Sequence, residues 1–308
     1  MGARGWLAAT VVLAAGLTAG CAGTPRADNT SAPATVAKAA GQRSTTLLAA
    51  GDIASCASDG DEQTAALLDS LPGTVLTLGD TAYDHGSADE FRRCYLPSWG
   101  RFRDRTYPAP GNHDYQTADA SGYYEFFGPR AGQPGKGWYS FDRGRWHLIA
   151  LNSNCEVVGG CQPGSEQERW LRADLAANPA RCTLAFWHHP RFSSGSTHGS
   201  DPAVGDLWTA LYQAGADLVL VGHEHNYERF APLDPLGAVD PARGVREFVV
   251  GTGGESHYPF GPPLPGSEAR NSDSFGLLEL RLLPTGYTWR FVPAQGGTFQ
   301  DSGTGSCH

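Results

Sequence analysis

The sequence of 308 residues predicts an α/β fold whose β-sheets are largely buried. Runs with strand character alternate with runs of helical spacing, and the strand runs are almost continuously apolar, which is typical of sheets covered on both faces. Hydrophobic residues make up 40% of the chain and charged residues only 18%, so there is enough apolar material for a real core. No linker interrupts residues 44–308, and we expect a single domain there.

The first half of this domain alternates strand, helix and strand. The apolar runs 45–50 and 74–78 predict two buried strands, and each is followed by Gly-Asp. Between them, residues 61–71 carry alanine and leucine at helical spacing and are followed by Pro-Gly, which predicts a helix with a defined end. A segment of mixed signals then leads to residues 108–112.

The second half continues the alternation and closes with a hairpin. Ser165 and Glu168 form the pattern of a capping box, which predicts the start of a helix that runs through Asn178. The other predicted elements are strands at 146–151, 183–187, 218–221 and 246–250, a helix at 207–214, and a hairpin over 275–292 around Pro284-Thr285-Gly286.

The N-terminal residues predict an export signal. Arg4 precedes a short apolar run, Trp6 to Ala15, and small residues follow it; this is the pattern of a signal peptide, which we assign to residues 1–20. The run is shorter than the roughly 20 residues that span a membrane, which argues against the alternative of an uncleaved anchor. The end of the stretch looks like a bacterial lipobox, so Cys21 is a candidate lipid anchor, with simple secretion as the alternative. Residues 21–43 are small and polar and predict a flexible tether.

The cysteines agree with export. Six of the seven remain when Cys21 is set aside, and an even number in an exported chain suggests up to three disulfides. Cys155 and Cys161 bracket a short glycine-rich loop, and we expect them to pair. Cys56 and Cys94 follow two segments that lead to the same predicted site and form the second expected pair. The third expected pair, Cys182–Cys307, remains by elimination.

The charge of the chain excludes some classes of function. The formal net charge is −9, which argues against nucleic acid as a partner and against membrane attachment through basic patches.

Polar residues that can bind metals follow the predicted strands. In α/β sheets, ligand sites lie beyond the carboxyl ends of strands, and a glycine before the ligand allows a tight turn. Aspartate, asparagine and histidine together suit two divalent or trivalent ions, which need a shared carboxylate between them; Asp80 is the candidate. Five strand-like runs end in this way, at Gly51-Asp52, Gly79-Asp80, Gly111-Asn112-His113-Asp114, Trp187-His188-His189-Pro190 and Gly222-His223-Glu224-His225.

These five motifs, in this order, resemble those of the calcineurin-like metallophosphoesterases. Ala54 stands where many members have histidine, and Tyr83 follows Asp80 by three places; both features resemble the purple acid phosphatases. The stretch Gly222 to Arg229 is similar to the plant-type members. The resemblance covers about residues 45 to 300 and implies a sandwich of two mixed β-sheets flanked by helices.

The resemblance also implies a ligand set for two metal ions. The first ion would be Fe(3+) and the second Fe(2+), Zn(2+) or Mn(2+), and a phenolate ligand would give the first a purple colour. The first would be bound by Asp52, Asp80, Tyr83 and His225, and the second by Asp80, Asn112, His188 and His223.

The implied reaction is hydrolysis of small phosphate monoesters by attack of a metal-bound hydroxide, with His113 or His198 giving a proton to the leaving group. A phosphodiesterase or nucleotidase on the same core, a mononuclear site, and a non-catalytic cell-surface binding lipoprotein are the alternatives. Asp114 is expected either to orient His113 or to be a turn residue, and Glu224 to be solvated. The oligomeric state is left open.

Overall fold

In the computed structural model, residues 45–308 are described, together with the single positions 2 and 13. The described chain forms two β-sheets and five α-helices. The helices are α1 (Gly60–Ser70), α2 (Ala88–Glu90), α3 (Ser121–Phe127), α4 (Glu166–Ala177) and α5 (Gly205–Ala214). The strands are β1 (Thr45–Ala50), β2 (Thr74–Leu78), β3 (Thr106–Ala109), β4 (Tyr139–Arg143), β5 (Trp146–Ala150), β6 (Cys182–Phe186), β7 (Leu218–Val221), β8 (Tyr227–Phe230), β9 (Arg246–Val250), β10 (Ser267–Asn271), β11 (Gly276–Leu283), β12 (Gly286–Pro293) and β13 (Ser302–Ser306).

Both sheets are mixed. The first has six strands in the order β13-β12-β11-β1-β2-β3, with β1, β2 and β3 parallel and the closing strands antiparallel. The second has seven strands in the order β10-β8-β9-β7-β6-β5-β4, and its four central strands β9, β7, β6 and β5 are parallel. The predicted α/β fold with two mixed sheets flanked by helices is confirmed.

Two apolar layers hold these elements together. The larger core joins side chains from both sheets, among them Leu48 on β1, Phe248 on β9 and Leu280 on β11. The smaller core packs the other face of the second sheet against α4 and α5, through Leu171 and Trp208. Because the central strands are covered on both faces, their sequences are apolar at almost every position. This continuous apolar pattern is what allowed the strands to be predicted from the sequence.

Most predicted elements are present within one residue at each end. The capping box at α4 is only half formed: the Ser165 hydroxyl accepts the Glu168 N–H, but the Glu168 carboxylate accepts from Gly164 instead of Ser165. The strands without a specific sequence prediction are β4, β8, β10 and β13. They lie at or next to sheet edges. Most side chains of β4, β10 and β13 are partly or fully exposed, whereas β8 is buried but contains Glu228 and Arg229, so none of the four has a continuous apolar run.

The three predicted disulfides are confirmed. Cys155–Cys161 closes its short loop, Cys56–Cys94 ties the segment after β1 to the turn after α2, and Cys182–Cys307 joins β6 to the segment after β13. Among the residues that the structure describes, no helix has the length and apolarity to cross a membrane. The predicted signal peptide, the tether and Cys21 lie outside the described residues.

Candidate metal centre

The predicted metal-binding residues meet at one end of the two sheets. Asp52, Asp80 and Asn112 follow β1, β2 and β3 of the first sheet, whereas His188 and His223 follow β6 and β7 of the second. The two sheets are linked directly at this end, because the N–H of Gly51, which follows β1, donates to the carbonyl of Val250 at the end of β9, at 2.9 Å. The site therefore lies where the carboxyl ends of parallel strands from both sheets converge, as expected for α/β folds.

Four of the predicted metal-binding side chains, those of Asp52, Asp80, Tyr83 and His225, form a first cluster of atoms that can donate electron pairs to a metal, here called the first donor cluster. The Tyr83 hydroxyl lies 3.1 Å from Asp52 Oδ1, 3.1 Å from Asp80 Oδ2 and 3.2 Å from His225 Nε2. The cluster is closed by a separation of 3.3 Å between His225 Nε2 and Asp52 Oδ1. These are the four residues predicted to bind the first metal.

A second donor cluster surrounds His188. Its Nε2 lies 3.1 Å from Asn112 Oδ1, 3.2 Å from Asp80 Oδ2 and 3.2 Å from His223 Nδ1. These are the four residues predicted to bind the second metal. Asp80 Oδ2 belongs to both clusters, which is the position that a bridging oxygen requires.

The spacing and the chemistry of both clusters fit metal ions. Donors bound at about 2.1 Å to one ion stand roughly 3.0–3.4 Å apart, and the observed separations fall in that range. The single hydroxyl hydrogen of Tyr83 faces two carboxylates and an imidazole nitrogen, and it can be donated to only one of them. A cation would bind all four ligand atoms at once.

The electrostatics of the site point the same way. Burial raises the pKa of Tyr83 well above its ordinary value, and the nearby Asp52 and Asp80 carboxylates raise it further. Burial would lower the pKa of His188 and of His225, but Asp80 and Asp52 outweigh it, so both pKa values are raised, that of His225 to about 10. Without a metal, protons are therefore held where the cations would sit, and metal binding would release them.

The outer atoms of the donor side chains are held by the surrounding protein. His188 Nδ1 donates to the Leu78 carbonyl at 2.8 Å, which leaves Nε2 for the centre. His225 Nδ1 lies 2.8 Å from the Ser256 hydroxyl and 3.0 Å from Glu255 Oε2. Such outer partners fix the orientation of metal ligands.

The two aspartates are held through backbone groups. Asp52 Oδ2 accepts from the His223 N–H at 2.9 Å, and Asp80 Oδ1 accepts from the His113 N–H at 2.8 Å. Each carboxylate thus has one oxygen fixed by the backbone and the other directed into a donor cluster.

The backbone at the site adopts uncommon conformations. Asp52, Asp80 and His223 have φ values of 60°, 49° and 71°, which non-glycine residues adopt rarely and which cluster at functional sites. Gly111 is required by a close approach, because a Cβ there would stand 2.1 Å from Asp80 Oδ1. Gly111, which precedes the predicted ligand Asn112, therefore allows its loop to pack tightly against Asp80.

The two candidate catalytic histidines lie on either side of the donors. The His113 ring lies 4.5 Å from the Tyr83 ring, and its Nδ1 donates to the Asp84 carbonyl at 2.6 Å. The exposed His198 ring stacks on His223 at 4.1 Å with an interplanar angle of 30°. One histidine thus flanks the first cluster and the other flanks the second.

The expectations for two neighbouring acids have different outcomes. Of the two roles expected for Asp114, the structure supports that of a turn residue: it is buried and accepts the Gly111 and Thr81 N–H groups, so it fixes the loop that carries Asn112. The expectation for Glu224 is wrong. Glu224 is not solvated, since its side chain is fully buried and accepts two backbone N–H groups. Sequence position alone suggested exposure, because Glu224 alternates with two ligands along the chain.

Other residues of the site carried little sequence signal. Glu255 and Ser256 hold His225, and Tyr258 stacks on the same ring at 3.9 Å. They follow the glycine-rich segment after β9, and that position at a strand end was the only indication. His189 lies beside the second cluster, 4.4 Å from the His223 ring, and burial together with the charge of His188 lowers its pKa to about 3.

A cavity beside the centre has room for a small molecule. Its volume is 430 Å³, and Asn112 and His189 line the side nearest to the second donor cluster. The remaining walls include Tyr115, Asn154, Glu156 and Asp201.

The sequence is similar to a known protein family and to several characterised and uncharacterised proteins. A family model described as calcineurin-like phosphoesterase matches residues 45–227. An uncharacterized protein of Mycobacterium tuberculosis (strain H37Rv) is 30% identical over 227 residues, covering 59% of this chain and 42% of the relative. Purple acid phosphatase 15 of Arabidopsis thaliana is 28% identical over 232 residues, covering 61% and 41%.

A solved structure also shares the fold. Purple acid phosphatase PPD1 from seeds of yellow lupin (Lupinus luteus) superposes with a TM-score of 0.66 at 18% identity, covering 86% of this chain and 54% of that chain. At this identity the likeness concerns the fold alone. The matches span less than half the length of the two curated relatives named above.

Proposed function

Since this chain belongs to the calcineurin-like phosphoesterase family and its relatives include purple acid phosphatases, we propose that it hydrolyses small phosphate monoesters at a centre of two metal ions. The observation that carries the proposal is the common position of Asp80 Oδ2, within 3.1 Å of the Tyr83 hydroxyl and 3.2 Å of His188 Nε2. One carboxylate oxygen shared by two donor clusters is the arrangement that two adjacent cations need.

The residues would divide between the ions as the resemblance implies. Asp52, Asp80, Tyr83 and His225 would hold Fe(3+), and Asp80, Asn112, His188 and His223 would hold Fe(2+), Zn(2+) or Mn(2+). Burial and the Asp52 and Asp80 carboxylates raise the pKa of Tyr83 well above its ordinary value, so a bound cation would have to stabilise the phenolate. The trivalent charge of that cation is what the resemblance implies. When bound, the cations supply Lewis acidity that polarises the phosphoryl oxygens and activates water.

The protein's own part is proton delivery and positioning. The leaving oxygen of the ester develops negative charge and needs a proton. His113 donates its Nδ1 hydrogen to the Asp84 carbonyl, so Nε2 is the nitrogen that can carry a transferable proton. His198 lies on the opposite side, over His223, and would serve an ester bound nearer the second ion.

One experiment tests the metals and the reaction together. Purified protein is examined by elemental analysis and visible spectroscopy and is assayed with p-nitrophenyl phosphate and bis-p-nitrophenyl phosphate. We expect about two metals per chain, visible absorption and faster hydrolysis of the monoester. A ratio near one metal would indicate a mononuclear site, a preference for the diester would indicate a phosphodiesterase, and absence of metal would favour a binding protein.

We also propose that the protein is exported and anchored through a lipid on Cys21. The three disulfides support export, because such bonds persist in oxidising compartments. Cell fractionation of a Cys21→Ser variant tests the anchor: we expect the native protein with the membranes and the variant in the soluble fraction. If both fractionate alike, the chain is not anchored at this cysteine.

A further inference from the structure

The loop that carries His198 has no regular structure of its own. Residues 190–200 contain only one isolated bridge, between Gly195 and Phe260. His198 is exposed, and its ring makes no hydrogen bond to any residue that the structure describes; it contacts the site by stacking on His223. An exposed side chain on such a loop needs an external support to keep one position.

Buried glutamates provide much of that support. Glu247 on β9 accepts the Arg191 and Phe192 N–H groups at 2.9 Å, and Glu228 on β8 accepts the Ser194 N–H at 2.7 Å. These two carboxylates fix the first part of the loop, and the Pro259 carbonyl accepts the Ser196 N–H at 3.0 Å. A third buried glutamate holds the residues at and after His198.

Glu224 holds the part of the loop nearest the metal centre. Its Oε1 accepts the N–H groups of both His198 and Gly199, each at 2.6 Å. The side chain is fully buried, and Gly195 packs so closely on it that a Cβ there would lie 2.1 Å from the Glu224 carboxyl carbon. Because Glu224 stands between His223 and His225, the same short turn carries two predicted ligands and the support of the His198 loop.

Resting on the proposed function, we infer that Glu224 is a positioning residue for phosphate ester hydrolysis: it fixes the backbone of His198 so that the His198 ring stays over His223, beside the second donor cluster. The Glu224 carboxylate belongs to neither donor cluster, and it acts through the loop. The important property is the acceptor oxygen at a fixed place. Glutamine also has a carbonyl oxygen at that place and can accept both N–H groups, whereas alanine cannot.

Hydrogen exchange tests the positioning without relying on activity. In the metal-loaded full-length protein, we expect Glu224→Ala to speed exchange of the His198 and Gly199 amides by at least about tenfold, and Glu224→Gln to keep their protection. Glu279→Ala is the matched control, because it removes another buried glutamate, on β11, whose carboxylate accepts hydrogen bonds from Arg281 and Arg290. Unchanged protection in Glu224→Ala would overturn the inference.

Kinetics test whether the position matters for the reaction. A displaced catalytic group can lower the rate as much as about a hundredfold, so we expect kcat of Glu224→Ala to fall roughly 10- to 100-fold with metal content retained. Glu224→Gln should recover most of the loss. Adding Glu224→Ala to His198→Ala should cause no further loss, because the group being positioned is already gone.

The outcomes separate the two proposals. Three results would each overturn the positioning role. The losses of kcat could multiply when Glu224→Ala and His198→Ala are combined, Glu224→Gln could be as impaired as Glu224→Ala, or His198→Ala could have native kcat. If the native protein hydrolyses no phosphate ester, the proposed function fails, while the exchange data still decide whether Glu224 orders the loop.

Discussion

Asp80 is the residue on which both donor clusters depend. Its Oδ2 faces Tyr83 and His188, and its Oδ1 is held by the His113 N–H. Burial would raise the pKa of Asp80, but the charge of His188 and its hydrogen bond lower it well below the ordinary range. The carboxylate is therefore ionised and fixed before any cation binds.

Asp80→Ala should remove both metals. Neither cluster retains four protein donors without this oxygen, and the repulsion between two cations would no longer be offset by a bridging carboxylate. Elemental analysis of the purified variant measures the result. Asp89→Ala, which removes an exposed carboxylate outside the site, should keep the native metal content. Loss of a single metal from Asp80→Ala would contradict a bridging role.

Tyr83→Phe should abolish visible absorption while leaving the fold intact. The colour predicted for this centre requires a phenolate on the ferric ion, and phenylalanine keeps the ring but lacks the oxygen. The visible spectrum and the far-ultraviolet circular dichroism of the variant provide the measurement. Tyr258→Phe is the matched control, since Tyr258 stacks on His225 without joining the cluster; a coloured Tyr83→Phe protein would exclude Tyr83 as the ligand.

His113→Ala should lower kcat by about 10²- to 10⁴-fold with both metals still bound, because general acid catalysis contributes that much. His113 supplies only its backbone N–H to Asp80, and alanine retains that group. Steady-state kinetics with elemental analysis measure the effect. His85→Ala, at an exposed histidine between β2 and α2, should have near-native turnover. Native turnover in His113→Ala would mean that His113 has no part in proton transfer.

At the scale of elements, burial explains which strands the sequence could predict. The central strands are apolar on both faces, so their runs are continuous, whereas β13 has the sequence Ser-Gly-Thr-Gly-Ser and no strand pattern. Packing against β12 requires its two glycines. A Cβ at Gly303 would lie 2.4 Å from the Trp289 ring, and a Cβ at Gly305 would lie 2.4 Å from the Tyr287 ring. Only the paired strand reveals why glycine is needed there.

His147 joins three elements and should make stability depend on pH. From β5 it contacts Asp142 on β4 and Asp174 on α4, each at 2.8 Å. Burial would lower its pKa, but these two aspartates raise it above the ordinary value of 6.5. The folded state therefore binds the proton more tightly than the unfolded state, and this contribution is complete below about pH 6.5 and is lost as pH rises through the higher folded-state pKa.

Urea unfolding between pH 6 and 9 measures this effect. The free energy of unfolding of the native protein should fall with pH more steeply than that of His147→Gln, which cannot bind the proton. Equal slopes for the two proteins would show that His147 does not titrate differently on folding.

At the scale of the whole molecule, one disulfide connects the two sheets. Cys182 lies on β6 of the seven-stranded sheet, and Cys307 follows β13 of the six-stranded sheet, 125 residues later in the chain. Replacing both cysteines by alanine should lower the free energy of unfolding by about 2–5 kcal/mol, because the unfolded chain loses a long closed loop. Denaturant unfolding measures this. A much smaller loss would mean that packing between the sheets, and not the crosslink, sets stability.

The sequence by itself determined the order and chemical type of the strand-end residues, from which the fold class, the family and seven candidate metal ligands could be predicted. These features are local, because each motif is an apolar run followed by glycine and a polar donor. Tertiary structure alone decided which oxygen of Asp80 both clusters share, that Glu224 is buried under the His198 loop, and which groups hold His225. Those features depend on contacts between distant parts of the chain, such as the bond between Asp52 and His223, 171 residues apart, and a local pattern cannot encode the distance or direction of such a contact.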